Sequence, residues 1–189
     1  AYISWDKRQG DYDTYLLKMV DIYMEAIIGT GEEHIKHIAR KVIEQKGDRV
    51  YTFTRERIKW HKEQGHIVIA ISGSPLELVR EMSLKYHMDD YRGTIYELDE
   101  NGKYNGEVVP MWDSDSKQKA INELVEKHDI DLSKSYAYGD TSGDYTMFKS
   151  VGCPFAINPT KELLGKIKND ESLKDKINLI VERKDVTYK

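Results

Sequence analysis

The spacing of apolar positions changes character along the chain, and each change predicts a different kind of element. Over residues 14–28 (TYLLKMVDIYMEAII), Leu16, Val20, Tyr23, Met24 and Ile27 recur at helical spacing, and Gly29 ends the pattern. Thr30 with Glu33 has the spacing of a capping box, which predicts a second helix starting there. A third helix is predicted over about Thr54 to Gln64, stopping at Gly65. The first third of the chain therefore reads as all helix. At residues 66–72 (HIVIAIS) the pattern becomes a continuous aliphatic run, too short for a helix and flanked by Gly65 and Gly73. A strand buried on both faces of a parallel sheet reads this way.

The next segment, SGSPLELVREMSLKYH, offers Ser74 as a cap, Pro75 as a first-turn proline and Glu77 as a capping-box acid. Strand, glycine turn and helix make half of a βαβ unit. Residues 94–110 read as a β-hairpin, with Asn101-Gly102 suited to the left-handed positions of its turn. Ser116 to His128 is predicted helical, Ser135 to Tyr138 a second buried strand and Tyr145 to Val151 helical. A short strand follows around Pro154 to Ile157, then a helix from about Thr160 to Lys168. The charged residues 171–189 carry only a loose assignment. The order predicts an α/β fold, a helical lobe followed by a parallel sheet.

Composition narrows the function classes. The 29 basic and 33 acidic residues leave a formal charge of −4, spread along the chain, which argues against nucleic acid as a partner. One cysteine, Cys153, makes no internal disulfide and fits a reducing compartment, where it reads as a small core residue. The longest aliphatic run, Ile67 to Ile71, falls far short of a membrane span, and no N-terminal stretch has the shape of a signal peptide. The expectation is a cytoplasmic protein.

In open α/β sheets, ligands sit beyond the carboxyl ends of the strands. One predicted strand ends in Ser72-Gly73-Ser74, a hydroxyl and exposed amides at a helix start, which suit phosphate. The other ends in Gly139-Asp140, with Asp144 three small residues further on, and its carboxylates would repel phosphate unless a cation lay between. Mg²⁺, which takes few protein ligands and keeps several waters, suits hard oxygens at a strand end. Lys117 opens a helix between them and supplies an ammonium able to stabilise transferring phosphoryl charge.

The succession IVIAISGSP, DSDSKQKA and SYAYGDTSGDYTMF resembles three of the four motifs of the haloacid dehalogenase (HAD) superfamily, in the subfamily IB group around phosphoserine phosphatase. The resemblance implies a Rossmann-like HAD core over residues 61–189, lacking its first strand, and a helical cap over residues 1–60. It also implies roles. Ser72 and the Gly73 amide would bind the phosphoryl oxygens, and Lys117 would neutralise charge on the nucleophile and the phosphoryl group. Asp140 would coordinate Mg²⁺, and Asp144 would hold a metal water or orient Lys117. Gly143 departs from the pattern, since many members have a phosphate-touching asparagine there.

The first motif of the family, an apolar strand ending in Asp-x-Asp-x-Thr/Val, supplies the nucleophile and the general acid/base. Asp11 and Asp13 have the spacing, but WDKRQG precedes them in place of a strand. Asp113 and Asp115 follow VVPMW, but Lys117 takes the Thr/Val place, so both pairs read as loop or helix-cap carboxylates. The family order places this motif before the cap, hence upstream of residue 1. Two functions stand at this point: a Mg²⁺-dependent phosphatase acting on a small phosphorylated metabolite through a phosphoaspartate, or a non-catalytic protein binding phosphate or a phosphorylated partner. His34 and His37 read as a solvated helix face, Gly29-Thr30-Gly31 as a turn rather than a nucleotide loop, and Trp5 and Trp60 as core.

Overall fold

The computed structural model of the chain describes residues 12–183 and 186–188. Asp11 and Trp5 lie outside these, as does the side chain of Asp13. Among the described residues three helices come first: α1 (Tyr12–Ile27), α2 (Glu32–Lys46) and α3 (Thr52–Glu63). Gly29 and Gly65 follow α1 and α3 in the left-handed region, φ +75° and +73°, so glycine ends both helices as predicted. The capping box at Thr30 does not form. Gly31 is the N-cap of α2 without a side-chain hydrogen bond, and Glu33 pairs with Lys36 at 2.9 Å. The backbone there is claimed by another strand: the Gly29 amide donates to the Tyr104 carbonyl (2.8 Å) and the Tyr104 amide to the Thr30 carbonyl (3.1 Å).

Strand β1 (Ile69–Pro75) runs parallel to β2 (Asp90–Leu98), and β3 (Tyr104–Val109) pairs antiparallel with β2, forming the predicted hairpin. The hairpin turn has Gly102 at φ +71°, its amide on the Asp99 carbonyl at 3.0 Å. A small core of Ile27, Ile35, Tyr96 and Tyr104 joins α1 and α2 to this hairpin. Helix α4 (Leu76–Lys85) follows β1, starting from Pro75 without a side-chain cap. Glu77 is drawn away from the capping role by the Tyr104 hydroxyl, which donates to it at 2.8 Å.

The second sheet has the order β4 (Tyr136–Gly139), β5 (Cys153–Ile157), β6 (Asn178–Arg183), β7 (Val186–Tyr188). Its first three strands are parallel and the last is antiparallel. Helix α5 (Ser114–His128) precedes it, α6 (Tyr145–Ser150) follows β4, and α7 (Lys161–Lys168) follows β5. Ala137, Phe148, Val151, Ala156, Leu163, Ile167 and Leu173 form its core. Helix α3 docks on this sheet, where the β6 residue Glu182 accepts from the Thr52 and Phe53 amides at 2.7 and 2.8 Å. A carboxylate at a helix N-terminus satisfies orphan donors and complements the dipole.

Among the described residues, β1 pairs only with β2 and β4 only with β5, so each strand has one hydrogen-bonding edge unused. An apolar cavity of about 340 Å³ lies between the two edges, lined by Ile69 and Ile71 from β1, Ala137 and Tyr138 from β4 and Leu124 from α5. Among the described residues no helix is long and apolar enough to cross a membrane.

Candidate active site

The carboxyl ends of β1 and β4 and the first turn of α5 open onto one cavity of about 480 Å³. The structure brings all five predicted site residues to its wall: Ser72, Gly73, Lys117, Asp140 and Asp144. They come from three places in the chain because parallel strands point their carboxyl ends the same way.

Lys117 is held by the way α5 begins. Asp113, the N-cap, accepts from the Asp115 and Ser116 amides at 3.0 and 2.8 Å, which makes this acid a helix cap as its sequence context predicts. One turn in, the buried Lys117 ammonium meets the buried Asp144 carboxylate, Nζ to Oδ1 at 2.6 Å. The other Asp144 oxygen accepts from the Asp140 amide (3.0 Å), the Thr141 amide (3.0 Å) and the Thr141 hydroxyl (3.3 Å). Asp144 thus folds the loop after β4 back on itself and fixes the lysine. Gly139 makes room for this, since a Cβ there would lie 2.5 Å from Asp144 Oδ2.

Asp140 is placed differently. Its side chain faces the open cavity with no side-chain partner among the described residues, exposed to solvent yet crowded by protein on its other sides. That crowding first, and the Asp144 charge second, push its carboxyl above the ordinary range, while Lys117 pulls the other way. A carboxylate crowded by protein beside a second carboxylate, with no side-chain hydrogen bond among the described residues, is a place where a cation lowers the energy. The donor set fits Mg²⁺, which accepts one or two carboxylates and fills its remaining positions with water. Among the described residues no group of three or more His, Cys, Asp or Glu is arranged to hold a metal, and His34 and His37 lie exposed on α2.

On the other wall the Ser72 hydroxyl accepts from the Ser74 amide at 3.2 Å, leaving its own proton to donate. The Gly73 carbonyl accepts from the hydroxyl of Thr94, a fully buried β2 residue. Two residues that sequence reasoning missed tie the walls together. Thr94 also accepts from the Met111 amide at 3.3 Å. Trp112, next in the chain, sits against both loops: a Cβ on Gly73 would come within 3.0 Å of Trp112 Cβ, and one on Gly143 within 2.4 Å of the Trp112 carbonyl oxygen. Gly143 therefore has a steric reason in this protein, as the Trp112 backbone occupies the space a side chain would need. No sequence pattern announces this contact.

Tyr138, two residues before Asp140, also lines the cavity. Its hydroxyl accepts from Arg57 Nε at 3.0 Å and pairs with His61 Nε2 at 2.8 Å, tying α3 to β4. Burial, then the charges of Arg57 and His66, lower His61 to about 4, so its ring is neutral. Trp60 stacks its ring under Arg57 at 4.0 Å in this cluster, half-buried.

Residues 10–149 match the model of the haloacid dehalogenase-like hydrolase family, and the chain belongs to that family. Two curated relatives and a solved structure place it further. It is 28% identical over 165 residues to a protein of Streptomyces azureus named for inhibition of morphological differentiation, covering 86% of this chain and 60% of that one. It is 28% identical over 117 residues to the phosphoserine phosphatase SerB1 of Mycobacterium tuberculosis, covering 61% of this chain and 38% of that protein. A substrate-bound phosphoserine phosphatase complex superimposes with a TM-score of 0.57 at 21% identity, over 89% of this chain and 80% of that one. The chain thus resembles phosphoserine phosphatases within the family and shares their Rossmann-like α/β fold. It spans between 38% and 60% of the length of these curated relatives.

Proposed function

We propose that the full-length protein is a Mg²⁺-dependent phosphatase that hydrolyses a small phosphomonoester through a phosphoaspartate. The observation that supports this most is the convergence of an anion seat at Ser72-Gly73, a buried ammonium at Lys117 and a cavity-facing carboxylate at Asp140 on one cavity. Ser72 Oγ and the Gly73 amide hold the phosphoryl oxygens. Lys117, fixed by Asp144, sets a positive charge beside them that strengthens as charge develops in the transition state. Asp140, with Asp144 behind it, would hold the metal, which supplies neutralisation of phosphoryl charge and orientation of the group.

The nucleophile belongs to a strand upstream of residue 1 that ends in Asp-x-Asp and seats between β1 and β4. The unused edges of those strands and the apolar cavity between them support this placement. Its first Asp attacks phosphorus as the P–O bond to the alcohol breaks, and its second protonates the departing oxygen, then takes a proton from the water that hydrolyses the phosphoaspartate. Phosphomonoester hydrolysis needs accelerations of up to about 10²¹-fold, so residues 1–189 without that strand should be nearly inert. The helical lobe, residues 1–60, acts as a cap that excludes water, with α1 as the part lining the cavity.

The test is hydrolysis of p-nitrophenyl phosphate by the full-length protein. Turnover abolished by EDTA and restored by Mg²⁺ is expected. Absence of turnover with tight binding of inorganic phosphate would replace this reading with a non-catalytic phosphate-binding protein.

A further inference from the structure

We infer that this site selects phosphomonoesters of uncharged, largely apolar alcohols over phosphoserine and polyol phosphates. The inference rests on the phosphatase reading and concerns the leaving group.

The lining of the 480 Å³ cavity divides sharply by element. Every charged side chain that lines it among the described residues, Lys117, Asp140 and Asp144, lies at the strand ends where the phosphoryl group belongs, and two of the three are paired to each other. Ser72, Ser74 and Thr141 lie at the same strand ends, and away from them the described wall is apolar and aromatic. Helix α1 contributes Leu16, Met19 and Val20, α4 contributes Leu78, and Tyr23 and Tyr96 lie with their rings 5.0 Å apart. Burial first, then the nearby Glu77 carboxylate and the Tyr96 hydroxyl, push the Tyr23 hydroxyl up to about 12, so this phenol is neutral across physiological pH. Trp112, whose backbone lies close against Gly73 and Gly143, adds a further aromatic side chain to the lining.

A phosphoserine would bring an ammonium and a carboxylate against a wall that, among the described residues lining it, offers neither one a counter-charge, and desolvating unpaired charges is costly. An alkyl chain would gain there. A cavity of this size suits a small ligand, and each methylene it buries is worth about 0.8 kcal/mol, roughly fourfold in affinity.

The test compares kcat/KM of the full-length protein with Mg²⁺ for ethyl, butyl and hexyl phosphate, phosphoserine, glycerol 3-phosphate and p-nitrophenyl phosphate. We expect a rise approaching about fourfold per methylene, carried by falling KM, with hexyl phosphate favoured over phosphoserine by 100-fold or more. A flat series, or phosphoserine or glycerol 3-phosphate equal to hexyl phosphate, overturns the selectivity and leaves the phosphatase reading standing. No turnover of any ester overturns both. L16Q should lower the hexyl-to-ethyl ratio at least fivefold through KM. An equal loss at every chain length would show that Leu16 only supports the fold and that the apolar wall does not read the alcohol.

Discussion

Replacing Asp144 by alanine should cost the full-length protein more stability than replacing its partner Lys117 by methionine. The asymmetry follows from what each side chain leaves behind. Asp144→Ala strands the buried Lys117 ammonium, whose partner among the described residues is Asp144 at 2.6 Å, and also orphans the Asp140 and Thr141 amides. Breaking a buried pair so that one charge stays uncompensated costs about 3–5 kcal/mol, and unsatisfied amides add to it. Lys117→Met leaves the Asp144 carboxylate with two amides and a hydroxyl still donating to it, so about 1.5–3 kcal/mol is lost, the worth of one charge-assisted hydrogen bond. Urea unfolding of both variants and the double variant, in EDTA to remove metal effects, gives the two losses and their coupling. Equal losses, or a larger one for Lys117→Met, would refute the reading that Asp144 organises the loop and merely holds the lysine.

Three further outcomes follow from the same geometry. Gly143→Ala forces a Cβ to within 2.4 Å of the Trp112 carbonyl oxygen, so about 1–3 kcal/mol of stability should be lost in the same urea assay, with a raised KM for p-nitrophenyl phosphate. Thr94→Val removes the donor to the Gly73 carbonyl at a fully buried position, and a loss of about 1–2 kcal/mol is expected together with weaker phosphate binding by calorimetry. Burial alone would raise the Asp90 carboxyl, but hydrogen bonds from Lys127, His128, the Tyr91 amide and Arg92 outweigh it and hold it well below its ordinary range. A depressed carboxyl stabilises the fold above its unfolded pKa of about 3.9 and loses that contribution as pH falls through the folded value. Asp90→Asn should therefore lower stability at pH 7 and flatten its decline below about pH 4, read as unfolding midpoints across that range.

Much of the fold was legible because the apolar spacing was strong, even though the strand read as buried on both faces is only half-buried along most of its length. The aliphatic run before Ser72 became β1, although the strand starts at Ile69 and reaches Pro75, because pairing with β2 resumes at Pro75–Thr94 after a register shift. The capping boxes at Thr30 and Ser74 failed for a physical reason: tertiary partners at Tyr104 took the backbone and the Glu77 carboxylate that local spacing had promised to the helices. Strands β6 and β7 went unassigned because β6 buries one residue, Ile180, so its apolar signal is too weak to read. At the site, the five residues with motif-like spacing were found together. Thr94, Trp112 and Tyr138 were not, since each acts through contacts across the fold, such as the Trp112 backbone against Gly143, that no local pattern encodes.

The measurement that bears most directly on the account is kcat for p-nitrophenyl phosphate in the full-length protein carrying Asp140→Asn. The substitution keeps the size of a side chain that faces the cavity and forms no side-chain hydrogen bond among the described residues, so the fold should stand. A fall in Mg²⁺-dependent turnover of at least about 10²-fold, with the urea midpoint unchanged, is predicted. Full activity with unaltered Mg²⁺ dependence would contradict the assignment of Asp140 to the metal and with it the proposed phosphoryl-transfer site.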